Sequence, residues 1–232
     1  MSDFFRFPHT PHLAWLGKEK LRDDKKLSLT EVEALLSRAV VVEEKLDGAN
    51  LGISLSQEGV IQFQNRGQYL IEPFKGQFSR LNAWVDQHRY SLIDQLDSEL
   101  ILFGEWCAVK HSLDYDALPD WFLVFDVFDR KCERFWSSQR RNELANSLML
   151  PVPPMIFQGT ATKAELIALL EVKGSHFRQG ALEGIVIRQE LSDWCDSRAK
   201  LVRSEFTQTI DTHWSHRHIQ WNQMQAQRTN TQ

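Results

Sequence analysis

Lys45 is the side chain whose surroundings promise chemistry. It lies in residues 40–54, Val-Val-Val-Glu-Glu-Lys-Leu-Asp-Gly-Ala-Asn-Leu-Gly-Ile-Ser. A β-branched run there enters a charged corner containing a glycine and an alternating run leaves it, the pattern of two strands joined at a turn. A lysine at that turn projects from a rigid sheet edge into whatever cleft the rest of the chain builds. Gly48 either gives the backbone a conformation closed to other residues or lets a ligand come close, and Asp47 and Asn50 add polar groups within reach. An amine so placed can serve as a nucleophile only when neutral, yet an ordinary lysine titrates at about 10.4. The site is therefore expected to lower that value through partial desolvation and neighbouring cations. Read alone, Lys-x-Asp-Gly is more often a surface hairpin, because four-residue patterns recur by accident.

Further polar residues follow at intervals that a chance pattern does not explain. Asn65-Arg66-Gly67 closes the next hairpin, where the planar fork of Arg66 suits a phosphate or simply faces solvent. Phe103-Gly104-Glu105-Trp106 plants a carboxylate in an apolar run; a buried glutamate must be paired or neutralised, so a cleft position is favoured. Trp121-Phe122-Leu123-Val124-Phe125-Asp126-Val127-Phe128 is a second such run, Leu182-Glu183-Gly184-Ile185-Val186-Ile187-Arg188 a third, and Arg198-Ala199-Lys200-Leu201-Val202-Arg203 ends the series.

In order and type these segments resemble the motifs of the covalent nucleotidyltransferases, the superfamily of ATP-dependent DNA ligases, RNA ligases and mRNA capping enzymes, over about residues 45–206. Asn50 narrows the resemblance to the RNA ligase 2-like branch, since DNA ligases and capping enzymes usually carry arginine there. The resemblance implies an ATP-dependent RNA ligase with ATP and Mg2+ as cofactors. Lys45 would take AMP from ATP, the AMP would pass to a 5′-phosphate end, and a 3′-hydroxyl would displace it. It implies nucleotide-binding roles for Glu44, Asp47 and Asn50 beside Lys45, and for Arg66, which binds a nucleotide phosphate or the acceptor's terminal phosphate. Glu105 would accept a hydrogen bond from the ribose, Phe125 would stack on the purine, and Glu183 would help place the metal directly or through water. Lys200 would contact the α-phosphate, acting as an acid toward pyrophosphate or as a charge that depresses Lys45. The family's last motif is usually Lys-x-Lys, and here Val202 stands at the second lysine, so Arg203 substitutes only if a bulge or the strand end turns it inward.

The elements that must position these groups read as α+β, with mostly antiparallel sheets flanked by helices. The resemblance implies an ATP-grasp-like nucleotidyltransferase domain with no oligonucleotide-binding barrel, because 26 residues after position 206 are one helix rather than a barrel. The whole chain, 1–232, is expected to be one domain. Residues 1–27 carry aromatics that pack on the body and then a charged loop. Ser28 with Glu31 and Thr162 with Glu165 are capping boxes opening helices. Strands are expected near 51–55, 60–64, 100–106, 121–128, 183–188 and 198–202, with helices over 78–88 and 137–148. Phe206, Ile210, Trp214, Trp221 and Met224 form a stripe predicting a closing helix over 204–226.

With 232 residues, 42% hydrophobic and 25% charged, the chain can bury a substantial core. A net charge of -4 and a pI near 6.1 exclude a uniformly basic nucleic-acid binder. RNA contact must therefore come from local patches, with Arg134, Arg140 and Arg141, or Lys200, Arg203 and Arg217, as candidates. Three scattered cysteines argue against a disulfide framework, no run is long enough to span a membrane, and residues 1–6 lack a signal-peptide layout, so a cytoplasmic location is expected. A protein partner stays open. The rival readings are a small DNA ligase, a guanylyltransferase, and a nucleotide-binding subunit that does not catalyse.

Overall fold

Each of the two capping boxes opens a helix. Ser28 accepts from the Glu31 N–H while the Glu31 side chain reaches back to Ser28, starting α1, Leu29–Leu36. Thr162 and Glu165 do the same for α4, Lys163–Val172. Each satisfies amide donors that the first helical turn leaves orphaned. The computed structural model describes residues 4–17, 26–207 and 219–225.

Between and after these helices the chain builds two antiparallel sheets. The first has the order β7-β1-β8-β9, from Met155–Gly159 (β7), Val40–Lys45 (β1), Gly184–Leu191 (β8) and Trp194–Val202 (β9). The second has the order β3-β2-β4-β5-β6, from Ile61–Gln64 (β3), Ala49–Leu55 (β2), Leu100–Trp106 (β4), Phe122–Asp129 (β5) and Arg134–Phe135 (β6). β1 and β2 are consecutive in sequence yet belong to different sheets. Residues 46–48 are therefore a crossing from one sheet to the other, and Lys45 stands at the point of departure.

Strand alternation divides each sheet into a core face and a cleft face. In the first sheet Val40, Val42, Ile185, Ile187, Ala199 and Leu201 pack on α1 and α4, leaving Glu43 and Lys45 for the other side. In the second, Leu51, Ile53, Leu102, Val124 and Val127 pack on α2, Leu81–Gln95, and α3, Ser138–Ser147. The opposite face carries Ile101, Phe103 and Phe128, covered by the N-terminal segment: Phe5 stacks on Phe128 at 3.6 Å, and Phe7 meets Phe103 at 4.9 Å and Phe125 at 5.2 Å. The expected packing of those aromatics on the body is thus what the fold shows.

Two expectations fail. β7 was not foreseen, because its five residues show no alternation; it forms because the edge of β1 needs a partner, with Val40 opposite Gly159. The closing helix over 204–226 is also corrected. A short helix, Ser204–Thr207, begins it, and residues 208–218 lie outside the described residues, but 219–225 are extended. Trp221 bridges to Val109 and Met224 to Leu118, because the loop at 107–118 offers backbone groups that an extended segment can pair and a helix cannot. Among the described residues no helix is long and apolar enough to cross a membrane.

The two sheets are tied by buried charge. Arg141, fully buried on α3, forms a fork on Glu43 of β1, with Nη1 at 3.1 Å, and the same nitrogen donates to the Phe125 carbonyl of β5 at 2.8 Å. Arg188 of β8 pairs with Asp126 of β5 at 2.8 Å, and Arg198 of β9 pairs with the same carboxylate. Removing one partner strands a buried charge, which costs about 3–5 kcal/mol. Arg141→Leu is therefore expected to lower the urea-unfolding free energy by about 3 kcal/mol or more, and adding Glu43→Leu to recover much of it; a loss below about 1 kcal/mol in the single variant would show that the fork does not hold the sheets together.

Candidate active site

The cleft faces enclose a cavity of about 590 Å3. Lys45 reaches into it from the end of β1. Its Nζ donates to Glu183 at 2.6 Å and to the Leu46 carbonyl at 3.3 Å. Glu183 immediately precedes β8, whose Gly184 lies opposite Lys45. Glu105 comes from the other sheet, on β4, and accepts from the Gly48 N–H at 3.0 Å. The close fit explains Gly48: a Cβ there would meet the Trp106 carbonyl oxygen at 2.6 Å. It is a neighbouring strand rather than a ligand that needs the space.

The electrostatics differ from what the sequence led us to expect. Burial pulls the Lys45 amine down, but Glu183, Glu105 and Asp47 outweigh it and raise the amine above its ordinary value. The chain's own side chains hold Lys45 as an ammonium. Conversely, burial pushes Glu105 up to about 7, against the pull of Lys45, and Glu183 up to about 7 in the same way. Three carboxylates around one ammonium leave a surplus of negative charge.

The acidic neighbours of Lys45 bond to loops. The Asp47 carboxylate accepts the N–H groups of Ser112 at 2.6 Å and Leu113 at 2.7 Å, while its own N–H donates to the Tyr115 hydroxyl at 2.8 Å. Glu44, on the core side of β1 and buried, accepts from Ser175 Oγ at 2.5 Å and the His176 N–H at 3.0 Å. Glu44 is among the residues lining the cavity and Asp47 is not; both carboxylates bond to loops.

Asn50, Arg66, Glu105, Phe125 and Lys200 do line the cavity. Asn50 lies opposite Glu105 in the β2–β4 register, and its buried Oδ1 has no hydrogen-bond partner among the described residues. Arg66 Nη1 lies 3.4 Å from His9 Nδ1. Phe125 is the extra residue of a bulge, since Asp126 faces Phe103 and Val124 faces Gly104, and such a bulge re-aims a side chain. Lys200 lies opposite Val186, which lies opposite Glu43. Two residues along, the next row on the same face is Lys45, Gly184 and Val202. Arg203 is not brought in: it donates to the carbonyls of Leu170 at 2.8 Å and Glu171 at 3.2 Å at the end of α4 and pairs with Glu205. No bulge separates it from Lys200, so alternation turns it away, and the expected substitution is corrected.

Other lining residues went unread. Phe7 and Thr10 arrive from the N-terminal segment, and His111, 2.9 Å from Gln77, from the loop after β4. Only the aromatic run at 4–7 hinted at them. Of the expected basic surface of Arg134, Arg140 and Arg141, the last is withdrawn and the first two stay at least partly exposed. Arg141 is buried on Glu43, Arg140 lies over Trp136 at 3.7 Å, and Arg134 lies over Trp194 at 4.8 Å. Arg217 lies outside the described residues.

A model of the RNA ligase family matches residues 38–202, from the start of the Lys45 strand to the end of β9. The chain belongs to the RNA ligase family. Among solved structures, this RNA ligase family member resembles a Naegleria gruberi RNA ligase variant with ATP and Mn, at a TM-score of 0.60 and 16% identity over 77% of this chain and 53% of that one. The same ligase with PPi gives 0.58 and 18% over the same shares. A candidate ATP-dependent DNA ligase from Aquifex aeolicus gives 0.55 and 20%, over 86% of this chain and 50% of that one. The chain thus spans about half the length of the solved relatives it matches, and at these identities the likeness is one of fold. No curated protein matches the chain by sequence.

The raised glutamates have a consequence for stability. With folded values near 7 against an ordinary value of 4.5, the folded chain holds more protons than the unfolded chain between those two. The stability they contribute is fully present below about 4.5 and lost as the pH rises through about 7. Unfolding free energies from about pH 5 to about pH 8 are expected to fall less in Glu105→Gln than in the unmutated chain; parallel curves would mean that Glu105 titrates like an exposed glutamate.

Proposed function

We propose that the protein is an ATP-dependent RNA ligase that joins 5′-phosphate and 3′-hydroxyl ends through a lysyl-AMP intermediate on Lys45. The observation that carries this reading is the Lys45 amine inside the cavity, paired at 2.6 Å with Glu183, with Glu105 of the other sheet among the charges that set its titration. The Naegleria ligase structures with ATP and Mn and with PPi support it.

In the first step the Lys45 ammonium gives up a proton, the neutral nitrogen attacks the α-phosphorus of ATP, the bond to pyrophosphate breaks, and the nitrogen sheds its second proton as the phosphoramidate forms. Glu183, in hydrogen-bond contact with that amine and titrating near neutrality, is the acceptor within reach. Lys200 serves the α-phosphate side, as an acid toward the leaving pyrophosphate or as a positive charge. The donor set suits a hard cation: oxygens, with negative charge to spare. Glu183 is the residue that would meet an ion brought by the nucleotide, directly or through water. Magnesium, when bound, supplies positive charge that offsets that of the phosphates. Phe125 at its bulge offers a face for the purine, Glu105 an acceptor for the ribose hydroxyl, and Asn50 and Arg66 polar groups for phosphates. The AMP then passes to an RNA 5′-phosphate, and a 3′-hydroxyl displaces it. The Aquifex likeness keeps DNA ends as the second reading.

With α-labelled ATP and magnesium, label is expected to remain on the denatured chain, to vanish in Lys45→Ala, and to form at least ~100-fold more slowly in Lys200→Ala. Label from GTP instead would point to capping chemistry, and no label from either would refute the proposal. Matched RNA and DNA nicks then decide the polymer, with sealing of RNA expected to be faster.

A further inference from the structure

Residues 219–225 lie beyond the segment that the family model matches, and none of them lines the cavity. They are nevertheless bound to the loop at 107–118 along its length. The Ala108 carbonyl accepts the Asn222 N–H at 3.0 Å, Lys110 N–H donates to the Gln220 carbonyl at 2.9 Å, and Gln223 N–H donates to the Tyr115 carbonyl at 2.8 Å. Leu118 and Gln223 share another bond at 3.1 Å. Trp221 anchors the segment against the Arg80 guanidinium at 3.9 Å.

Asn222 is 4% exposed and uses both ends of its amide. Its Oδ1 accepts from the Tyr115 N–H at 2.9 Å, and its Nδ2 donates to the Cys107 carbonyl at 2.8 Å. One side chain therefore ties Cys107, at the start of the loop, to Tyr115 near its far end. That loop holds the crossing after Lys45. Tyr115, 2% exposed, accepts the Asp47 N–H through its hydroxyl; the N–H groups of Ser112 and Leu113 hold the Asp47 carboxylate; and Leu46 packs with Leu113, Tyr115 and Leu118. Both residues that follow Lys45 are thus placed by the loop, and the loop by Asn222.

We infer that Asn222 is a positioning residue for Lys45, acting through Tyr115 and Asp47. The inference rests on the ligase reading for its kinetic consequence. A nucleophile must sit within a fraction of an ångström of its line of attack, so a small displacement from a remote change costs up to ~100-fold in rate. The position requires an amide: aspartate lacks the donor for the Cys107 carbonyl, and leucine of similar shape lacks both bonds.

The test uses the full chain with Asn222→Leu, with Tyr115→Phe, which removes only the hydroxyl, and with both. Gln225→Ala, an exposed side chain, is the control. Three quantities are read: the rate of label transfer from ATP to the chain at saturating ATP, the ATP concentration for half-maximal rate, and the pH profile of Lys45 acylation by trace acetic anhydride, measured by mass spectrometry. Each single variant is expected to slow transfer at saturating ATP by ~10-fold or more, with half-saturation changed less than ~2-fold. The double variant should be no slower than the worse single, as for groups acting along one line. The acylation midpoint of Lys45 should move down toward that of an exposed lysine, and Gln225→Ala should match the unmutated chain. Unchanged transfer in Tyr115→Phe, effects that multiply in the double variant, or a loss confined to half-saturation would overturn the inference. If Asn222→Leu fails to fold, Asn222→Asp, which keeps the acceptor for the Tyr115 N–H and loses the donor to the Cys107 carbonyl, takes its place with the same deciding outcomes. Should the unmutated chain take no label, the ligase reading falls, while the acylation profiles still decide for or against Asn222: a shared shift upholds it, and unmoved midpoints overturn it.

Discussion

The Lys45 ammonium among three carboxylates, in the cleft between two sheets, is the constraint to which the remaining structure answers. Glu183, Glu105 and Asp47 together over-neutralise Lys45, and in low-dielectric surroundings such an imbalance is tolerated only where a group changes its protonation. The glutamates do so by titrating near neutrality. The arrangement sets two carboxylates that titrate near neutrality beside a charged amine.

Holding charges at this density demands a stiff frame. The frame is itself charged: Glu43 with Arg141, and Asp126 with Arg188 and Arg198, cross from one sheet to the other and satisfy the Phe125 carbonyl twice. Apolar contacts alone could join the sheets with equal or greater stability. Directional ion pairs add a fixed register between β1, which presents Lys45, and β5, which presents Phe125. Their geometry determines where the amine stands relative to the bulged aromatic, which matters more in a cleft of this size than net stability does.

A second frame lies under the crossing at 46–48. The flanking acids Glu44 and Asp47 are used to hold two loops, at 175–178 and 112–115, and these loops touch each other through the Phe177 carbonyl, which accepts from Asp116 and Ala117. Lys45 is thus flanked on both sides of the chain by acids bonded to loops. Acidic residues beside a candidate nucleophile invite a catalytic reading, and here the loop amides they bind give them a structural role as well.

The residue order alone determined the family, the antiparallel α+β character, both capped helices and the central strands, because capping, alternation and apolar runs are local signals that packing did not override. It also named the groups that line the cavity: Lys45, Asn50, Arg66, Glu105, Phe125 and Lys200. The features that it left unread share a physical reason. The outward turn of Arg203, the bonding of Glu44 and Asp47 to loops, the burial of Arg141 and the extended course of 219–225 all depend on partners roughly 30 to more than 100 residues away. A sequence states which side chains carry charge or an amide. Whether such a group faces substrate or a neighbouring strand follows from which backbone groups and counter-charges are left unsatisfied once the sheets have closed.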